Sequence, residues 1–188
     1  EEFIYSDEYC GGIRNDKKLQ IVVAGGSSVP LLPAELILKT ANGEPRLMSY
    51  ESLADGGFAT GTMLGSGGFI VMDEDTSIVK NLWTFTRFYH HESCGQCSPC
   101  REGTGWMEKL LHKILDGHGT LADVDLLWEI QSKIEGKTIC PLGDAAAWPV
   151  ASAIRHFRSE FEEYVRNPSA IRKDHHYYRV NNLNPELV

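Results

Sequence analysis

Cys94, Cys97 and Cys100 stand at strict three-residue spacing in the run Glu92-Ser93-Cys94-Gly95-Gln96-Cys97-Ser98-Pro99-Cys100-Arg101-Glu102-Gly103. A fourth cysteine, Cys140, lies far downstream and is followed by Pro141. Three thiolates this close together fit three corners of a cubane, and a remote fourth closes it. A 4Fe–4S cluster, and with it one-electron transfer, is therefore the first chemistry to expect.

Zinc is the rival metal. Four-cysteine zinc sites usually use two C-x2-C pairs separated by a loop, and here a lone cysteine replaces the second pair. The Cys-Pro step at the fourth position also recurs in bacterial ferredoxin-type sequences. A disulfide framework does not suit a chain of 188 residues with 5 cysteines and no secretory pattern. Reduced thiols are the expectation, with Cys10 as a small, half-buried apolar residue.

Around the ligands, Gly95-Gln96, Ser98-Pro99 and Gly103 leave backbone N–H groups for the sulfurs, and such bonds tune a cluster's potential. Arg101 is a candidate counter-charge. A helix starting near Cys100 would aim its positive end at the site. Pro141-Leu142-Gly143-Asp144 reads as a helix lead-in with Asp144 as its cap. Other motifs are weaker. Gly25-Gly26-Ser27-Ser28 and Gly65-Ser66-Gly67-Gly68 match no phosphate-binding fingerprint and read as turns. His90-His91 and His175-His176 read as surface or capping residues. No Ser–His–Asp or Cys–His pattern stands out.

The elements that must hold these residues change character near residue 76. Before it, Gly and Pro punctuate short apolar runs. Leu19 to Ala24 and Phe69 to Met72 read as strands, with turn signals at Pro30, Pro33, Asn42-Gly43 and Gly56-Gly57 between them. After it the period is helical. Ile78, Leu82, Phe85 and Tyr89 share a face of a first helix. Trp106, Leu110, Ile114 and Leu115 mark a second, with Trp106 as core, ending near Gly117. A third begins with the capping-box pattern Thr120-x-x-Asp123, carries Leu127, Ile130 and Ile134, and stops at Gly136. A fourth follows Pro149, with Val150, Ile154, Phe157, Phe161 and Val165. From Asn167 the chain is polar and reads as an extended arm. The fold class expected is α+β, with domains at 1–75 and 76–166 and a tail at 167–188. In an up-down-up-down bundle the first and third links lie at the same end. Cys94, Cys97 and Cys100 fall in the first link and Cys140 in the third, so one cluster can take all four.

Composition narrows the function classes. The net charge is −8 and 42% of residues are hydrophobic. An acidic chain argues against a nucleic-acid surface, and no uninterrupted apolar run is long enough to span a membrane as a helix. A peripheral place on a membrane complex stays open. The chain opens on Glu1-Glu2-Phe3 without Met, which reads as a start inside a longer pattern.

The run Glu92-Ser93-Cys94-Gly95-Gln96-Cys97-Ser98-Pro99-Cys100-Arg101-Glu102-Gly103-Thr104-Gly105-Trp106 resembles a signature of the F-type, flavin- and NADH-binding subunit of respiratory complex I, NADH:quinone oxidoreductase. It is similar also to diaphorase subunits of NAD-linked hydrogenases and formate dehydrogenases. Val23-Ala24-Gly25-Gly26-Ser27-Ser28-Val29-Pro30 and Gly65-Ser66-Gly67-Gly68-Phe69-Ile70-Val71-Met72-Asp73 resemble that family's SLBB module, a β-grasp domain. Ile139-Cys140-Pro141-Leu142-Gly143-Asp144-Ala145-Ala146, with Phe88-Tyr89, resembles its helical cluster-binding domain.

The resemblance implies several things. The four cysteines would hold a 4Fe–4S cluster fed by reduced FMN, and Leu142 would approach the flavin. FMN and NADH would bind in a Gly-rich N-terminal domain that this chain lacks, and the first strand of the β-grasp module would be missing too. The chain alone would then be inactive as an NADH dehydrogenase. Its partners would be the E-type 2Fe–2S subunit and the G-type iron–sulfur subunit of the peripheral arm, on the cytoplasmic face of the inner membrane or the matrix side in mitochondria. Three other readings stay open: a soluble hydrogenase or formate dehydrogenase as host, a zinc-stabilised interaction module, and an iron–sulfur redox sensor, which the acidic charge disfavours.

Overall fold

A computed structural model describes residues 2–40, 42–55 and 62–168. The turn expected at Gly56-Gly57, the pair His175-His176 and nearly all of the polar tail lie outside the described residues. The first half holds short helices α1 (Glu2–Tyr5), α2 (Ala34–Leu38) and α3 (Tyr50–Asp55), and strands β1 (Leu19–Ala24), β2 (Leu32–Pro33) and β3 (Phe69–Asp73). The second half is helical: α4 (Ile78–Glu92), α5 (Ser98–Leu115), α6 (Leu121–Ile134) and α7 (Leu142–Arg166).

The three strands form one antiparallel sheet in the order β2-β1-β3. Strand β1 is central, and its Ile-Val-Val-Ala run is buried on both faces. Alternation then divides the run between two cores. Ile21 and Val23, with Met72, join the apolar core of the helices. Val22 and Ala24 join a smaller core with Leu32, Ile37, Leu38 and Leu53. Strand β2 was not expected, because it is two residues long and contains Pro33, which cannot donate to a ladder. The Gly25 and Gly65 turns lie against each other: a Cβ on Gly25 would stand 2.6 Å from the Met63 carbonyl oxygen. Both Gly25 and Gly26 donate to the Gly68 carbonyl.

Helices α4 to α7 pack on one another, with α4 against α5 and α7, α6 against α5 and α7, and α5 touching α7. Ile78, Leu82, Met107, Leu111, Ile114, Leu127, Val150 and Phe161 are fully buried between them. Each such side chain is worth about 1.5–3 kcal/mol relative to exposure. The sheet is tied to the helices by more than the shared core: Leu31 N–H donates to Ser152 Oγ at 2.8 Å and Ser27 Oγ meets Tyr89 Oη at 3.1 Å.

Three expectations are corrected. Trp106 is 54% exposed, and the buried face of α5 runs one position later through Gly103, Thr104, Met107, Leu111 and Ile114. A Cβ on Gly103 would meet Ile134 at 2.7 Å, so the helices approach along small residues that an apolar pattern does not count. Helix α7 starts at Leu142, not after Pro149, which sits inside it. Pro149 lacks one N–H but leaves the helix continuous, while Ser152 Oγ donates within the helix to the Trp148 carbonyl at 2.9 Å. Cys10 is exposed rather than half-buried, in a turn whose Gly12 N–H bonds back to the Ile4 carbonyl.

Two carboxylates hold helix starts. The capping box is formed: Asp123 N–H donates to Thr120 Oγ1, and Thr120 N–H to Asp123 Oδ2 at 2.7 Å. Burial pushes the Asp123 carboxyl up, but bonds from Lys113 and Thr120 outweigh it, and the net shift is below 3.8. Its contribution is present above pH 3.8 and lost as pH falls through the depressed value. Glu160, on α7, accepts from Ile78 N–H at 2.8 Å and so caps α4 from another helix. Burial raises Glu160 above 4.5 despite these donors. The stability tied to its protonated form is full below pH 4.5 and lost as pH rises through the raised value. Urea unfolding against pH should show both arms. Asp123→Asn should flatten the acid arm, and Glu160→Gln should flatten the arm above it. Glu160→Ala should cost about 1–3 kcal/mol, since it strands buried N–H groups.

Candidate iron–sulfur centre

The candidate ligands lie in two links between helices. Cys94 sits between α4 and α5, Cys97 is the N-cap of α5, and Cys100 lies in its first turn. Cys140 lies between α6 and α7, one residue before the Pro141 N-cap of α7. The two links touch. Ile139 N–H donates to Cys97 Sγ at 3.4 Å, directly joining the residue before Cys140 to the first cysteine group. Cys94 and Cys140 are exposed, Cys97 is half-buried and Cys100 is buried.

Short polar contacts shape the first link. Ser93 Oγ lies 3.2 Å from Cys100 Sγ and accepts from Gly95 N–H. Thr104 Oγ1 donates to the Cys100 carbonyl at 2.7 Å. Arg101, expected as a counter-charge, reaches back with Nη1 to the Gly95 carbonyl at 2.8 Å while Nε pairs with Glu102. Its cation therefore stays beside the Cys94 turn. Neither α5 nor α7 has a side-chain cap on its first N–H groups. Two uncapped helix starts thus adjoin the cysteines, an arrangement that favours negative charge. His90 pairs with Glu108 at 2.6 Å and packs on Gly105, joining α4 to α5.

Asp144 does not cap α7. Its Oδ1 accepts from Gly136 N–H at 2.6 Å, across the Cys140 link. Leu142, the residue expected near flavin, opens α7 and packs partly buried on the helical core. An open groove of about 730 Å³ runs between α5 and α6 from Ser98 and Pro99, beside the cysteines, along Trp106, Leu110, Leu126 and Ile130.

Zinc and a cubane ask for different spacings of their ligands. Among the described residues, no three Cys, His, Asp or Glu side chains gather as a group that would hold one metal ion. Tetrahedral zinc, at about 2.3 Å from each sulfur, needs its thiolates about 3.8 Å apart. A cubane spaces its ligands more widely, because iron and sulfide lie between them. Four thiols on two touching links, beside two helix starts and backbone donors, fit an iron–sulfur group.

A helical iron–sulfur binding region is thus the class that the fold and donor set define. Residues 80–164 match the family described as the NADH-ubiquinone oxidoreductase-F iron–sulfur binding region, and this helical part of the chain belongs to it. The likeness extends beyond that region. The chain is 43% identical over 169 residues to the F 1 subunit of NADH-quinone oxidoreductase of Rhizobium meliloti (strain 1021), covering 87% of this chain and 37% of the relative. It is 45% identical over 166 residues to the corresponding F subunit of Rickettsia rickettsii (strain Sheila Smith), covering 88% and 37%. The chain therefore spans little more than a third of the curated relatives it matches. Among solved structures, an NAD+-reducing NiFe hydrogenase in the H2-reduced state matches with TM-score 0.65 and 30% identity, over 79% of this chain and 24% of that one. The region resembles that of F-type subunits, and the cofactor that such an iron–sulfur binding region takes is a 4Fe–4S cluster.

Thiol exposure predicts an order of reaction. In the metal-free chain, Cys10, Cys94 and Cys140 should alkylate first and Cys100 last, as read by mass spectrometry of peptides after timed iodoacetamide. Fast labelling of Cys100 would contradict the packing of the α5 start.

Proposed function

We propose that Cys94, Cys97, Cys100 and Cys140 ligate the 4Fe–4S cluster, and that this chain is the electron-relay region of an NADH:quinone oxidoreductase flavoprotein subunit. The observation that supports the ligand set is the bond from Ile139 N–H to Cys97 Sγ, which joins the link carrying Cys140 to the link carrying the other three cysteines. A cluster held there would supply one-electron chemistry, so that a two-electron hydride donor can feed a chain of one-electron carriers. The chain's own residues hold the thiolates, supply N–H groups to sulfur and keep Cys100 from water.

In this reading the domains run over 1–75, 76–166 and 167–188. The first is an SLBB-like β-grasp module, and the second a four-helix bundle. FMN and NADH bind in a domain N-terminal to this one, with Leu142 facing the flavin. Electrons leave singly toward a neighbouring iron–sulfur protein, with the E-type and G-type subunits as partners. The chain alone does not oxidise NADH, and the complex sits peripherally on the inner membrane. A second reading keeps the site and changes the host to an NAD-linked hydrogenase or formate dehydrogenase. Its support is the likeness to the NAD+-reducing hydrogenase.

The test is anaerobic purification with iron, sulfide and zinc counted and the spectrum recorded before and after dithionite. The expected result is iron and sulfide in equal amounts, about four each per chain, with visible absorption that bleaches on reduction. One zinc and no visible band would overturn the assignment. Cys140→Ser should lose or degrade the cluster and loosen that end of the helices, whereas Cys10→Ser should leave the iron count unchanged. After cluster assembly only Cys10 should still react with iodoacetamide.

A further inference from the structure

Two contacts pin the Cys140 link to the first turn of α7. At its start, Gly136 N–H donates to Asp144 Oδ1 at 2.6 Å. Nearer the cysteine, Thr138 lies against buried Gly143 so closely that a Cβ on Gly143 would stand within 3.0 Å of Thr138 Oγ1, Cγ2 and Cβ. Nothing but glycine fits there unless Thr138 moves. Thr138 Oγ1 in turn donates to the Cys140 carbonyl at 2.9 Å. Between Thr138 and Cys140 lies Ile139, whose side chain is 86% exposed while its N–H reaches Cys97 Sγ. What Ile139 offers the neighbouring link is thus its backbone donor, next to a residue that is itself seated on α7.

We propose that the seat of Thr138 on Gly143 positions the Ile139 N–H against Cys97 Sγ and thereby sets the reduction potential of the cluster. Thr138 and Gly143 are positioning residues; neither touches the reacting atoms. The inference rests on the ligand assignment above. Its physical basis is charge. Reduction adds one negative charge to the cluster and its thiolates, so an N–H donor on sulfur stabilises the reduced state more than the oxidised one. Moving the donor away lowers the potential. A Cβ at residue 143 must push Thr138, and with it Ile139, off the first turn of α7. Thr138→Val keeps the shape and removes only the bond to the Cys140 carbonyl.

The experiment is a potentiometric titration followed by electron paramagnetic resonance, on the full chain assembled anaerobically with ferrous iron and sulfide, with iron counted in every sample. Gly143→Ala should take up the wild-type amount of iron and titrate at lower potential with an altered signal. Thr138→Val should shift the same way by less. Gly143→Ala combined with Thr138→Gly, which clears the space, should return toward the wild-type potential. If Gly143→Ala loses iron instead, recovery of iron in the double variant supports the seat and continued loss overturns it. Full iron with unchanged potential and signal in Gly143→Ala overturns this inference alone. A wild-type chain that takes up no iron overturns the ligand assignment and this inference with it.

Discussion

The contact between Ile139 N–H and Cys97 Sγ is the interaction on which the reading of this molecule depends. Its sequence separation of 42 residues means that no local rule can produce it. It exists because α5 and α6 lead the chain away from the first link and back to it. Gly103, beneath Ile130 and Ile134, lets those two helices come close enough for the return to register. Small residues at that seam therefore serve the site as directly as the thiols do.

The sheet is part of the same construction. Ile21 and Val23 face the helices, and Ser152 ties Leu31 to the middle of α7. Tyr89, whose hydroxyl meets Ser27, lies in the last turns of α4, just before the first cysteine. The Gly25–Gly68 turns are consequently fixed relative to the Cys94 link by one apolar core rather than by a linker. Two halves that differ in composition share a core because β1 is buried on both faces. That burial lets a three-stranded sheet hold a core on each side.

What the sequence made legible follows from the range of the forces involved. Strands at Leu19–Ala24 and from Phe69, the Thr120–Asp123 box and the stops near Gly117 and Gly136 are local features, and all are present. The cysteine spacing pointed to the chemistry without any structure. The errors are where tertiary contact chose between locally equivalent options. Ile114 and Leu115 are buried as their spacing implies, but Trp106 is exposed, and buried Gly103, Thr104 and Met107 take the place beside it. Pro149 carries a start signal that the packing of Val150 and Ala146 overrides. Asp144 has the residue type of a cap and takes a donor from across the link instead. The Thr138–Gly143 seat had no signal beyond a glycine beside the last cysteine.

The same distinction bears on how the site divides its tasks. Of the four cysteines proposed as ligands, Cys94 and Cys140 are exposed, Cys97 is half-buried and Cys100 is buried. What limits their movement is backbone: the N–H of Ile139 on sulfur, the Gly136 N–H on Asp144, and carbonyls taken by Thr104, Arg101 and Thr138. Side chains here fix peptide units of the two links, and one of those units, at Ile139, faces a sulfur. A hydrogen-bond donor on sulfur offsets the charge added on reduction. Cys97 and Cys100 sit at the start of an 18-residue helix whose N-terminal N–H groups no side chain claims. That helix start would place its positive end beside a group whose charge changes on reduction.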